Sequence, residues 1–264
     1  MVVEPDILVK ANHLDSLIKS IEVRCTHEDW EEVTTLSQAL LHAAERVHFD
    51  IVHRNCPTNV YDKHIIYYFA YSHLMTSISY QKLKQYSESI KYISLYSDLS
   101  WLRDGTKAGE AVIEEFKSFA AVHLLTLEIL RGNISKLSEY ETYLDNHSGD
   151  AVLIGLSTLL ESAIEHGYCI DRQLLRFKQN INSYDYYAER KMASHYLSYQ
   201  YLLAQYEQLN DQHSEALCTA VYTLWAADRL NNDNYFKKAI HLFESLRKNA
   251  SVSQLTACFN QPFY

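Results

Sequence analysis

Apolar positions return every third or fourth residue along most of this chain, the spacing of one face of an α-helix. Pro5 opens the first such stretch, which carries Ile7, Leu8, Ala11, Leu14, Leu17, Ile18 and Ile21 and runs to about Val23. Proline suits a first helical position because the amide it lacks would be unpaired there. Thr26 and Asp29 read as a capping box, hydroxyl and carboxylate each reaching an unpaired amide at the start of the next helix. That helix presents Trp30, Val33, Leu36, Leu40, Ala43 and Val47. The two make an N-terminal hairpin over residues 1–50. Asn55, Pro57, Thr58 and Asn59 make Asp50 to Tyr61 a loop.

A second hairpin follows: a helix from Asp62 to Leu83, a polar turn at Lys84-Gln85, and a helix from Ser87 to Leu99. Ile66, Phe69, Ala70, His73, Leu74, Ser77 and Ile78 share one face of its first helix, and Tyr68, Tyr71, Met75 and Ser79 a neighbouring one. A helix apolar on two faces packs on two sides, as in stacked hairpins. Further on, a long helix ends at Gly132-Asn133 and has Ile134–Leu144 as its partner. Ala151–Ile164 ends near Gly167 and pairs with Arg172–Ile181. Tyr186–Gln208 ends at Asn210-Asp211 and pairs with Ser214–Leu230. Tyr235–Leu246 is a last helix, and the tail 249–264 is weakly patterned.

The pattern predicts an all-α chain of about eleven helices with no strand. Helices joined in pairs by tight turns predict a right-handed solenoid of antiparallel hairpins resembling tetratricopeptide repeats over residues 61–248, forming one continuous superhelical domain with the N-terminal hairpin and the tail. Gly132 and Gly167 are spaced close to the tetratricopeptide period of about 34 residues; the other turns are more widely spaced. Gln85-Tyr86-Ser87-Glu88-Ser89-Ile90 resembles Gln212-His213-Ser214-Glu215-Ala216-Leu217 position by position. Small residues at Ser89, Ala216 and Ala220 let the second helix of each pair approach the first.

Composition agrees. Only 6 Gly and 3 Pro occur, against ordinary usage of about 7% and 5%, so helix breakers are scarce. The net charge of −9 and the lack of a basic run argue against direct nucleic-acid binding. The chain shows no signal pattern and no apolar run of about 18 residues, so it reads as cytoplasmic. Its scattered cysteines, Cys25, Cys56, Cys169, Cys218 and Cys258, read as free thiols of a reducing compartment.

No catalytic signature is present: no nucleophile elbow, no phosphate-binding glycine loop, no paired carboxylates. The histidines fall in no metal-ligand spacing, and His73 and His123 on apolar stripes read as core residues. Cys56 beside Arg54 lacks a base to activate it. The chain is therefore expected to be no enzyme and to need no metal or cofactor.

Tyrosine is the abundant aromatic, 21 against 9 Phe, and its apolar ring with a polar tip suits a groove that holds a peptide. In a hairpin solenoid the first helices of successive pairs line the concave face. Candidate groove residues are Tyr68, Tyr71 and Met75 on one such helix, Arg190, Tyr199 and Gln200 on another, and Glu114, Lys117 and Ser118 between them. Val221, Leu224, Trp225, Phe236 and Leu242 give the C-terminal helices enough apolar surface for a homodimer contact.

The segment Tyr67 to Trp101, with Tyr71-Ser72-His73-Leu74-Met75 and Tyr96-Ser97-Asp98-Leu99-Ser100-Trp101, resembles the helical-repeat part of regulators from Gram-positive bacteria. These are similar in plan to the peptide-sensing tetratricopeptide regulators of the Rap, PlcR and NprR kinds. The resemblance implies a non-catalytic sensor module of a transcriptional regulator that binds a peptide or small ligand, or a protein partner, on a concave surface. Many such regulators carry a helix-turn-helix before the repeats; here residues 3–23 form one helix, too short for such a domain. The alternative is a scaffold that docks a protein and senses nothing.

Overall fold

The computed structural model describes residues 5–54, 61–190, 192–248 and 250–259. Among the described residues there is no strand, and thirteen α-helices follow one another. They are α1 (Pro5–Thr26), α2 (Trp30–Arg54), α3 (Ile65–Lys82), α4 (Tyr86–Ser97), α5 (Lys107–Leu130), α6 (Leu137–Asp145) and α7 (Asp150–His166). Then come α8 (Asp171–Phe177), α9 (Tyr184–Ala188), α10 (Ala193–Leu209), α11 (His213–Arg229), α12 (Asp233–Arg247) and α13 (Val252–Phe259). The chain gathers into two compact units, Met1–Leu127 and Glu128–Tyr264.

One turn chemistry recurs. After α3, the amide of Gln85 donates to Tyr80 O at 2.8 Å and that of Lys84 to Gln81 O at 2.9 Å, the paired bonds of a Schellman cap. The same pair forms after α1 (Asp29 to Arg24, Glu28 to Cys25), α5 (Asn133 to Glu128, Gly132 to Ile129), α10 (Gln212 to Glu207, Asp211 to Gln208) and α11 (Asn232 to Ala227, Asn231 to Asp228). Each places one residue in the left-handed region: Glu28, Lys84, Gly132, Asp211 and Asn231. Gly167 closes α7 with a single bond to Ala163 O. Glycine takes this conformation without steric cost, whereas other L-residues pay for it. Most of these turns lack glycine, which is why the sequence shows them weakly.

In the first unit α1 packs on α2, α2 on α3 and α3 on α4. Leu14, Ile21, Val33, Leu40, Ala44, Ile66, Ile93 and Tyr96 have no exposed surface. Ser77 and Ser89 hold α3 against α4: each hydroxyl donates to the other's carbonyl, at 3.0 and 2.9 Å. Oxygen in place of a larger branched side chain permits the approach and satisfies itself there. In the second unit α10 packs on α7, α9, α11 and α12, with Ala204, Ala216 and Ala220 fully buried in one cluster. The small residues singled out at 89, 216 and 220 therefore do lie where helices meet.

Several boundaries differ from expectation. Thr26 stays inside α1, its hydroxyl donating to Val23 O at 2.7 Å; Asp29 caps α2, accepting from the Glu32 amide at 3.4 Å. Helix α2 continues to Arg54, one turn into the expected loop, whose residues 55–60 are outside the described set. The expected helix Tyr186–Gln208 is split into α9 and α10, and the weakly patterned tail contains α13.

The cysteines require a correction. Cys218 on α11 and Cys258 on α13 form a disulfide, so the expectation of free thiols throughout fails. The reason is tertiary: 40 residues separate them in sequence, and only the folding of α12 and α13 back onto α11 brings their Cα atoms to 4.7 Å, within bridging range. No helix of the described residues is long and apolar enough to cross a membrane.

Candidate functional site

In the first unit α3 and α5 present an aromatic face. Tyr67 and Tyr71, one helical turn apart on α3, stack with centroids 5.5 Å apart and planes within 15°. Spacing of four residues brings two side chains onto one face. Phe116 of α5 meets Tyr67 edge-on at 5.6 Å, and Phe119, 45% exposed, meets Phe116 the same way. The Lys63 ammonium lies 5.6 Å from the Tyr67 centroid.

Acidic groups flank these rings. Burial first, then Glu115 and Glu22, push the Tyr67 phenol up. Burial, then Tyr67, Cys25 and Glu22, push Tyr71 up further. Both stay protonated, and neither hydroxyl has a hydrogen-bond partner among the described residues. They are donors without an acceptor. Burial and Glu22 also push the Cys25 thiol up to about 11, which keeps it a thiol and a poor nucleophile.

The second unit has a longer aromatic row. Tyr187 and Tyr196, buried, stack at 5.2 Å. Tyr186 stands edge-on to Tyr187 at 5.0 Å, with the Arg190 guanidinium 4.2 Å from its centroid. On the other side Tyr184 contacts Tyr196 at 6.3 Å and Trp225 at 5.1 Å. The Arg229 guanidinium lies 5.6 Å from Tyr184 and 5.1 Å from Trp225. Tyr222 completes the row, its hydroxyl 2.8 Å from that of Tyr196.

The residues chosen from sequence fall on both sides of this division. Tyr68 is fully buried, its hydroxyl donating to Asp15 Oδ1 at 2.5 Å and accepting from the Lys63 amide; it joins α1 to α3. Met75 is buried too. Tyr71 is on the aromatic face. Lys117 is exposed, pairs with Glu114 at 3.7 Å, and its charge is felt by Asp98 at the end of α4. In the second unit Arg190 is exposed on the row. Gln200 lies near the Tyr196 hydroxyl, opposing the rise that burial imposes on it. Tyr199 is 2% exposed, and its hydroxyl is buried without a partner. The residues meant as a dimer contact serve the unit's own core: Val221 and Leu242 are buried, and Leu224, Trp225 and Phe236 pack against the buried clusters.

Sequence reasoning missed Tyr67, Phe119, Tyr184 and Arg229. The four-residue step from Tyr67 to Tyr71 and from Trp225 to Arg229 was the available signal.

His123 is a buried core residue, as its place on an apolar stripe implies. Its Nδ1 lies 2.8 Å from the Tyr96 hydroxyl and its Nε2 2.6 Å from Gln81 Oε1. Burial pushes it down to about 4. Among the described residues no group of three His, Cys, Asp or Glu is placed to hold a metal ion. Cys56 and the Arg54 side chain lie outside the described residues. A cavity of about 480 Å³ lies between α1 and α2, lined by His13, Ala43, Val47, Phe49 and the charged Glu45, Arg46 and Asp50. No protein-family model, curated protein or solved structure matches this chain.

Proposed function

We propose that the chain is a non-catalytic sensor module that holds an extended peptide across α1, α3 and α5 of the first unit. It works within a bacterial transcriptional regulator, as the resemblance over Tyr67–Trp101 implies. In this reading the hairpins are tetratricopeptide-like repeats winding as a right-handed solenoid in the cytoplasm.

The observation that carries the reading is the Tyr67–Tyr71 pair. Two stacked, half-buried rings cover apolar side chains, while their unpartnered hydroxyls supply donors for peptide carbonyls. Phe119 extends the apolar surface, backed by the buried Phe116. A peptide bound there switches the protein only through different affinities for two conformations.

The test is capture on the immobilised chain, offered a host peptide fraction and, separately, whole lysate, with mass-spectrometric identification. A retained peptide whose affinity falls about tenfold, about 1.4 kcal/mol, in Tyr71→Phe and in Phe119→Ser supports the reading. Retention unchanged in both variants refutes this face as the site. A protein partner with no peptide replaces the sensor by a docking scaffold.

A further inference from the structure

A covalent crosslink ties α13 to the second unit, independently of any peptide held by the first. Cys258 of α13 bridges to Cys218 of α11. One helical turn earlier, the Gln254 side-chain amide donates to Ser214 Oγ at 2.7 Å. Residues four apart lie on one face of a helix, so Gln254 and Cys258 share a face of α13, and Ser214 and Cys218 a face of α11. Gln254 also caps α13. Its Oε1 accepts from the Ser251 amide at 2.8 Å, and its own amide donates to Ser251 Oγ at 3.3 Å, the reciprocal bonds of a capping box.

Little else among the described side chains holds α13 in place. It has 8 residues, and isolated helices shorter than about 12–15 residues are marginal in water. It packs chiefly on α11. Val252 is 80% exposed, and Ser253 and Thr256 are exposed too. Leu255 is only partly buried against the apolar cluster of Leu217, Val221, Leu242, Phe243 and Leu246, which the buried Cys258 joins.

We propose that Cys218–Cys258 is a redox latch: the disulfide holds α13 on the cluster, and its reduction lets α13 leave and opens an apolar face on the second unit.

The exchange begins at Cys218, which is only partly buried, whereas Cys258 is 1% exposed. A low-molecular-weight thiolate attacks the Cys218 sulfur, forms a mixed disulfide there and expels Cys258 as a thiolate, which takes a proton. A second thiol resolves the mixed disulfide. Two small thiols are thereby oxidised to one small disulfide, and the bridge takes up their two electrons and two protons to become two thiols. What then remains is Leu255 and a neutral hydrogen bond, which contributes little net where water competes for it. Gln254 and Leu255 still bring the thiols together transiently, so a small disulfide closes the latch by the reverse exchange. In a reducing compartment the open dithiol is the resting form.

The test takes the full-length chain through glutathione buffers stepped from oxidising to the reducing ratio of a cytosol. Differential alkylation with mass-spectrometric mapping reads the fraction bridged, and hydrogen exchange reads α13 in the same samples. The bridge is expected to open within the series, with exchange over 252–259 about tenfold faster in the reduced form and α10, α11 and α12 as protected as before. Cys258→Ser and, separately, Cys218→Ser are expected to show the same fast exchange of α13 in oxidising buffer. A bridge that survives the most reducing buffer is a permanent staple, and that result would overturn the proposal. So would equal protection of α13 in the two redox forms. Exchange that rises equally through α10, α11 and α12 would assign the bridge to the stability of the whole unit and overturn the latch as well.

Discussion

Protonating His123 should cost the first unit much of its stability, and the geometry says why. In the neutral ring one nitrogen accepts and the other donates. Here Gln81 Oε1 can only accept, so Nε2 carries the proton and Nδ1 accepts from Tyr96. Protonation turns Nδ1 into a donor. The Tyr96 hydroxyl must then rotate, and its own proton loses its acceptor in a ring with no exposed surface. A charge is also placed in a site 8% exposed. These effects agree with a folded value pushed down from 6.5 to about 4.

The sign follows from linkage. A group with a depressed folded value contributes stability that is fully present above the unfolded value, and that is lost as pH falls through the folded one. The window runs from about pH 6.5 down to about pH 4. At 1.36 kcal/mol per pH unit the contribution is about 3 kcal/mol, a large part of a typical domain stability of 5–15 kcal/mol. His48 and His73 are pushed down as well, and carboxylates titrate in the same window, so total stability against pH does not isolate His123. The difference between wild type and His123→Gln does. Urea unfolding of both between pH 7.5 and 4 should show the wild type losing about 3 kcal/mol relative to the variant. Histidine NMR titration should place His123 well below 6. A pH-independent difference, or a titration near 6.5, would refute this account of the core.

Two backbone positions give predictions of known sign. Gly155 lies inside α7 where an added Cβ would sit 2.3 Å from Leu144 Cδ2, so Gly155→Ala should lose about 1–2 kcal/mol by overpacking despite better helix propensity. Leu144→Val should recover part of that loss in a double-mutant cycle, and a single variant as stable as wild type would show that α6 simply shifts. Gly167 has φ +70° with nothing within 4 Å of an added Cβ, so Gly167→Ala should cost about 1 kcal/mol through backbone strain alone. Lys84→Gly, at φ 58°, should gain stability of the same order in thermal unfolding.

Much of the fold was legible because helices advertise themselves locally. The interval of apolar residues gave α2 through α5 to within a few residues, and Ser89, Ala216 and Ala220 marked the close helix contacts. Helix ends were less legible where side chains compete for one role. Both Thr26 and Asp29 can cap, and only the placement of Glu28 in the left-handed region makes Asp29 the cap of α2. The break between α9 and α10 has no proline or glycine to announce it.

Of the residues singled out from the sequence, some lie at the surface and others are buried. Tyr68 and Tyr71 look alike in the string; one is spent on Asp15 and the other remains on the surface. The sequence by itself determined an all-helical fold class, because periodicity and the scarcity of breakers act over a few residues. Tertiary structure alone decided three things: that Cys218 meets Cys258, that Phe116 lies against Tyr67, and that Arg229 reaches the Tyr184 ring. Each depends on which helices pack together, and contacts between distant segments leave no local spacing to read.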